Sequence, residues 1–316
     1  MRAKVSFVIL SHNDAEMVVA AVKSIQRLKT RYAYDIYVVD NGSRDGTPDL
    51  VKKEFKDVKV IKLPKNIGTA AYDAAIKKSK SEYIFFTGCD VELREDMIGK
   101  LVGFLEKSKN IAQAAPKYID FYNRKKIDLA GTWLSRSFYS GTFKDSALGD
   151  KPAQIPYMGT GLIRRDVINK FGYLFDEDYF FYGEDVDLGL RIMLIGLKVY
   201  YLPDAVVYHK GSMSRSIHKP EYLAYLMERN LLTTFFKILS GKSILLLLPY
   251  VLSARLMAII MDVLTLKIKN AFARIKAIFW VAFNFGRIIE KREKLQRLRK
   301  FSDKEMFKVF SERCLF

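Results

Sequence analysis

The chain has 316 residues, half of them hydrophobic and 28% charged, with a formal net charge of +18. That composition excludes a disordered or collagen-like chain and leaves room for one large domain or two modest ones with a real core. The positive excess calls for an anionic partner, and it is unevenly spread: residues 267–300 carry eleven basic side chains against only Glu290 and Glu293.

The first half alternates two periodicities. Continuous apolar, β-branched runs at Val5–Leu10, Ile36–Val39, Val58–Leu63 and Tyr83–Thr87 predict strands buried on both faces. Between them the spacing predicts helices over Asp14–Lys29, after Thr47-Pro48 (Thr47 as cap, Pro48 in the first turn) and after Gly68. This βαβαβαβ order predicts a doubly wound sheet, in which ligands bind beyond the carboxyl ends of the strands. Each of those ends is polar: Ser11-His12-Asn13-Asp14, Asp40 to Thr47, Pro64 to Gly68, and Gly88-Cys89-Asp90. Turn chemistry explains any one of them, but the topology gathers all four on one edge.

From Ile111 to Pro156 no period persists, and the stretch reads as a hairpin-bearing insertion. Glycines return at Met158 to Ile163, followed by the acidic and aromatic block Phe175 to Arg191, a strand at Lys198–Leu202, and Ala205 to His209.

Three carboxylates, Glu184, Asp185 and Asp187, crowd a helix start that also holds Arg191. They suit either the helix macrodipole or a general base tuned by burial and neighbours. Asp90 after the fourth strand and His209 offer a carboxylate and an imidazole, a pair suited to Mg²⁺ or Mn²⁺, although His209 read alone fits an ordinary structural role equally. There is no zinc spacing, Walker lysine motif or nucleophile elbow. Cys89 and Cys314 are too few for a disulfide framework, and the six-residue apolar run after Met1-Arg2-Ala3-Lys4 is too short for a secretion signal, so a cytoplasmic protein is expected.

Together, Val5 to Asn13, Val38 to Thr47, Asn66-Ile67-Gly68 and Phe175 to Arg191 resemble family 2 glycosyltransferases, in the rhamnosyltransferase-like branch, over about residues 4–215. The resemblance implies a GT-A nucleotide-diphospho-sugar-binding fold and an inverting, metal-dependent transfer to a hydroxyl of a glycan or lipid-linked acceptor. It makes Ser11, Asn13, Asp40 and Gly68 nucleotide-contacting residues, places Glu184 and Arg191 among the substrate-binding set, makes Asp185 the catalytic base, and makes Asp90 and His209 ligands of a divalent cation, Mg²⁺ or Mn²⁺. Two positions depart from the family pattern. Gly88 stands at the first aspartate of the Asp-X-Asp motif, and Asp73 stands where many relatives have Asn. Transfer to a polyprenyl phosphate and non-catalytic sugar-nucleotide binding are the alternative readings.

A catalytic region over 1–218 and a helical region over 219–316 are expected. In the latter, Ile244–Met261 is an 18-residue run that is apolar except for Arg255, with Pro249 interrupting it. Arg255, Asp262, Lys269 and Lys276 recur every seven residues, predicting one charged stripe on a helix. With the basic segment and its Phe279, Trp280, Phe283 and Phe285, this predicts peripheral or monotopic attachment to an anionic membrane surface on the cytoplasmic side. No recognition motif supports a nucleic-acid partner, and a homo-oligomer is left open.

Overall fold

The computed structural model describes residues 3–145, 147–211 and 219–312. The expected domain boundary at 218 and Cys314 lie outside the described residues. Strands β1 (Val5–Ser11), β2 (Tyr34–Asp40), β3 (Val58–Lys62) and β4 (Tyr83–Gly88) form where the apolar runs predicted them. They pair in parallel in the order β4-β1-β2-β3, with α1 (Ala15–Gln26), α2 (Thr47–Glu54) and α3 (Tyr72–Ile76) as the connecting helices. Thr47 is not the cap of α2. Gly46, at φ 79°, holds that place, and Asp45 accepts from the Thr47 N–H at 3.0 Å.

After the short β5 (Val91–Leu93) and α4 (Met97–Glu106), the irregular stretch proves to contain a core strand, β6 (Ile111–Asp120). It carries Ala, Gln and Pro where its neighbours carry Val and Ile, so its β-propensity is low, yet it is buried between β11 (Gly161–Arg164) and β12 (Lys198–His209). The buried Gln113 amide nitrogen donates to the Met158 carbonyl at 3.1 Å, while its Oε1 finds no partner among the described residues. The expected hairpins exist as well. The strand β7 (Ile127–Leu129) folds back on β6, and β8 (Thr132–Leu134) pairs β9 (Ser140–Thr142) as a separate two-stranded sheet. With β10 (Ala153–Ile155) on the far edge, the mixed sheet runs β10-β12-β6-β11-β4-β1-β2-β3. The two predicted strand pieces around Pro203 are a single β12, bulged between Leu202 and Val206.

Helices α5 (Arg165–Phe171) and α6 (Glu184–Leu194) complete this part, followed by α7 (Pro220–Ile238), α8 (Gly241–Leu264), α9 (Ile268–Phe283), α10 (Phe285–Gln296) and the short α11 (Asp303–Phe307). Leu231, Leu232, Phe235 and Ile238 of α7 belong to the same hydrophobic core as the sheet. Pro249 does not interrupt α8 but sits inside it. The seven-residue charge stripe is corrected too. The chain turns at Leu266, at φ 57°, with the Lys267 N–H returned to the Asp262 carbonyl at 2.7 Å, so Arg255 and Asp262 belong to one helix and Lys269 and Lys276 to the next.

Candidate active site

The loops beyond β1 and β2 are tied together by Asn41. Its backbone N–H donates to the Ser11 carbonyl at 2.8 Å, and its amide donates to Asn66 Oδ1 at 2.9 Å and the Gly68 carbonyl at 3.0 Å. Its side-chain oxygen accepts the Ile67 N–H at 3.0 Å. Asn13, at φ 56°, accepts the Arg44 N–H at 2.8 Å, linking the first loop to the second. Two buried oxygens between these loops, Ser11 Oγ and Asp40 Oδ1, find no hydrogen-bond partner among the described residues, so both can bond a polar ligand.

Gly68, at φ 69°, is crowded by the chain itself. A Cβ there would lie 2.2 Å from the Phe180 carbonyl oxygen, which also accepts the Thr69 N–H at 2.9 Å. Any side chain at 68 would push this loop away. The same loop carries Phe180 and Tyr182 at φ 63° and Gly183 at φ 85°, three left-handed residues immediately before the acidic pair. For the two aromatic residues that conformation costs about 1–3 kcal/mol each and persists only if surroundings hold it.

The holding groups come from α7. Asn230 Nδ2 lies 2.9, 2.9 and 2.6 Å from the carbonyl oxygens of Tyr179, Phe181 and Tyr182, which share its two hydrogens. Arg229 donates to the carbonyls of Asp178 and Tyr179 at 2.7 and 2.9 Å. Deeper, the fully buried Lys237 ammonium pairs Asp176 at 2.7 Å and Asp187 at 2.8 Å.

Thus positioned, Glu184 and Asp185 open α6 and line a cavity of about 360 Å³ with His209, Asp128, Tyr182 and Gly159. Burial pushes the Asp185 carboxyl up to about 6, against the Val186 N–H that its Oδ1 accepts at 2.8 Å. Glu184 is carried well above the usual carboxylate range by burial and by the charge of Asp185, and its Oε2 has no partner. The adjacent Tyr182 hydroxyl is likewise buried and unpartnered. The pair is therefore built asymmetrically: Glu184 is biased toward its neutral form, and Asp185, held near 6, can take a proton near neutrality.

Across the cavity, β12 ends at His209 in register with Val91 of β5, which brings the imidazole to Asp90. Nε2 lies 3.2 Å from Asp90 Oδ2, and Nδ1 bonds Asp128. Burial of the ring lowers the His209 pKa, but the two carboxylates outweigh it and the net shift is upward. Among the described residues no group of three His, Cys, Asp or Glu side chains forms a ready metal cage. The donor chemistry nevertheless fits a divalent cation held by two protein ligands, with water and ligand oxygens completing the shell. A carboxylate on the far nitrogen of a ligating histidine is the usual device for aiming the near one, and Asp128 supplies it. A Cβ at position 88 would lie 2.6 Å from Asp90 Oδ1, so Gly88 leaves space for that carboxylate.

Residues 6–172 match the family model for glycosyl transferase family 2, more than half of the chain. The chain belongs to that family. An N-acetylglucosaminyl-diphospho-decaprenol L-rhamnosyltransferase of Mycobacterium tuberculosis is 22% identical over 62% of this chain and 73% of its own length. The uncharacterized glycosyltransferase YfnE of Bacillus subtilis is 24% identical over 66% of this chain and 64% of its own. Among solved structures, the GalNAc-T7 complex with UDP, GalNAc and Mn²⁺ superposes with a TM-score of 0.61 at 18% identity, over 75% of this chain and 48% of that one. The mannosyltransferase PcManGT of Pyrobaculum calidifontis, with GDP-Man and Mn²⁺, gives 0.56 at 17% identity, over 94% and 86%. These neighbours establish a GT-A-like fold, the mixed sheet described above.

Within this family 2 fold, the strand-end loops, Asp90, His209 and the Glu184–Asp185 pair gather on one edge of the sheet, with Asp185 and His209 lining one cavity. Arg191 does not join them. It is 0% exposed, donates to Asp187 at 2.7 Å and to the Leu174 carbonyl at 2.5 Å, and lies over the rings of Phe171 and Tyr173. Its expected substrate contact is replaced by a structural one, which the i,i+4 spacing from Asp187 already encoded. Asp73 also works in the fold, accepting the Leu174 N–H at 2.9 Å. Asn41, Asp128, Arg229 and Asn230 were not singled out from the sequence. Asn41 sat in a recognised run, whereas nothing in the order of residues links Asp128 to His209 or α7 to the loop before Asp185.

Proposed function

We propose that the chain is an inverting glycosyltransferase that moves a sugar from a nucleotide-diphosphate donor to a hydroxyl of a glycan or lipid-linked acceptor at the cytoplasmic face of a membrane. The observation that carries the reading is Asp185: a carboxylate whose pKa stands near 6, opening a helix on the wall of a cavity opposite His209. Asp185 takes the proton of the acceptor hydroxyl as that oxygen attacks the anomeric carbon from the side away from the leaving diphosphate, which inverts the centre. Glu184, with its free Oε2 facing no partner among the described residues, hydrogen-bonds a sugar hydroxyl. Ser11 and Asp40 hold the nucleotide through their unpartnered oxygens, with Asn13 and Gly68 shaping the loops around it. Asp90 and His209 would hold Mg²⁺ or Mn²⁺, whose positive charge offsets that gathering on the diphosphate.

The lipid-linked acceptor is supported by the mycobacterial relative, whose name specifies one, and by the exposed apolar face of α8 and α9. The test is Asp185→Asn, assayed with a panel of nucleotide-diphosphate sugars. Transfer falls by about 10²–10⁴-fold while donor binding, followed by calorimetry, is retained. Near-normal turnover in that variant would remove the base assignment. The anomeric configuration of the wild-type product, read by NMR, decides inversion against retention.

A further inference from the structure

The helix α8 is long and apolar enough to cross a bilayer, yet its attachments run along its length. Its buried residues, Val251, Ala254, Arg255, Ala258 and Asp262, form one stripe at helical spacing facing the body of the protein. At the middle of the helix Arg255 pairs Glu228 of α7 at 2.8 Å and donates to the Phe138 carbonyl at 3.1 Å, and near its end Asp262 accepts from Arg274 of α9 at 2.7 Å. A spanning α8 would carry these ion pairs, and the hairpin of β8 and β9 beside them, into hydrocarbon.

The opposite side is bare. Leu245 and Leu264, at the two ends of α8, are 76% and 71% exposed, and Phe272 and Phe283 of α9 are 69% and 86% exposed. Beside this ridge, Lys219, Lys269 and Lys276 line a groove of about 500 Å³ between α7 and α9 with Tyr225 and Phe272. Glu221 is the one acid lining it, and the described residues supply none of the three ammonium groups with an ion-pair partner. The Lys276 ammonium lies 5.4 Å above the Tyr225 ring.

We propose that the α8–α9 face seats in one leaflet of an anionic bilayer, with α8 lying in the membrane plane and phospholipid phosphates in the lysine groove between α7 and α9. This deepens the membrane reading above and rests on it. Charge complementarity selects the occupant: an apolar ridge flanked by unpaired lysines matches acyl chains beneath phosphate.

Flotation of the full-length protein with phosphatidylcholine vesicles, with and without phosphatidylglycerol, tests the headgroup part. Binding is expected to be at least tenfold tighter to the anionic vesicles. The double variant Lys269→Gln, Lys276→Gln should lose about 30-fold of that affinity at two lysines' worth of surface attraction, with unchanged thermal midpoint and unchanged binding to neutral vesicles. Equal affinity for both lipids, or no effect of the double variant, overturns the groove. For orientation, Lys242→Cys and Thr265→Cys mark the exposed ends of α8 in a Cys314→Ser background, with Cys89 left buried. Both should react with a membrane-impermeant maleimide added outside the vesicles, whereas labelling at one end alone means a span and overturns the proposal. Failure to float, together with a dimeric mass in solution, assigns the ridge to a second copy and also overturns it. Calorimetric donor binding by the same soluble protein is an independent readout, so loss of the glycosyltransferase reading and loss of the membrane geometry are distinguishable.

Discussion

The two sides of α7 differ in what they leave unsatisfied. Toward the sheet, its polar groups are spent on other parts of the chain: Asn230 and Arg229 on the carbonyls before α6, and Lys237 on Asp176 and Asp187. There the open valences belong to the cavity, in Glu184 and Tyr182. Away from the sheet, the groove side presents aromatic rings and lysines without an ion-pair partner among the described residues, with apolar side chains exposed on α8 and α9. On the reading proposed above, one face is completed by a small polar ligand and the other by an anionic bilayer surface. A single helix therefore shows that burial alone does not mark function; the mismatch between groups present and partners supplied does.

Four measurements break or sharpen this contrast. Lys237→Met removes one buried cation and leaves Lys291 and Arg191 as the cations paired with Asp176 and Asp187 among the described residues; unfolding free energy should drop by about 3 kcal/mol in urea titration. Asn230→Ala releases three carbonyls of a strained loop that precedes Asp185 and also rests on Gly68, so kcat should fall roughly 10–100-fold and by more than donor affinity does. Asn230→Asp, which keeps the shape but cannot donate, should behave like the alanine variant and not like wild type.

The pH profile is the third. Asp185 must be ionised to accept a proton, and burial holds its pKa near 6, above the ordinary carboxylate value. The rate kcat/KM should therefore lose tenfold per pH unit below about 6 and level off above it. A profile flat down to pH 4 would place the base elsewhere. The smallest effect belongs to the other face. Phe283→Ser, at a side chain 86% exposed, should leave stability within about 0.5 kcal/mol by thermal unfolding, since its removal uncovers little beyond one face of the already exposed Phe279 ring.

What the order of residues revealed followed from how locally each feature is encoded. Strands β1 to β4 announce themselves through unbroken β-branched runs, and the Glu184–Asp185 pair through sheer density of acid at a helix start. The strand β6 stayed hidden because alanines, a glutamine and a proline disguise a position buried on both faces. Arg191 entered the substrate-binding set through the resemblance, although its spacing from Asp187 spelled a core ion pair. The charge stripe through Arg255, Asp262, Lys269 and Lys276 assumed an unbroken helix, and a single left-handed residue, Leu266, divides it. Asp128 and Asn230 are legible only in three dimensions, since each acts on a partner many residues distant.

The neighbouring positions 228, 229 and 230 have a practical consequence. Glu228 receives Arg255 and Arg274 from the two greasy helices, while the next two residues grip the loop before Asp185, the proposed base. Trimming the protein after its last sheet strand to gain solubility would also discard the scaffold that gives Asp185 its aim. A workable soluble version would keep α7 and replace only the outward leucines and phenylalanines.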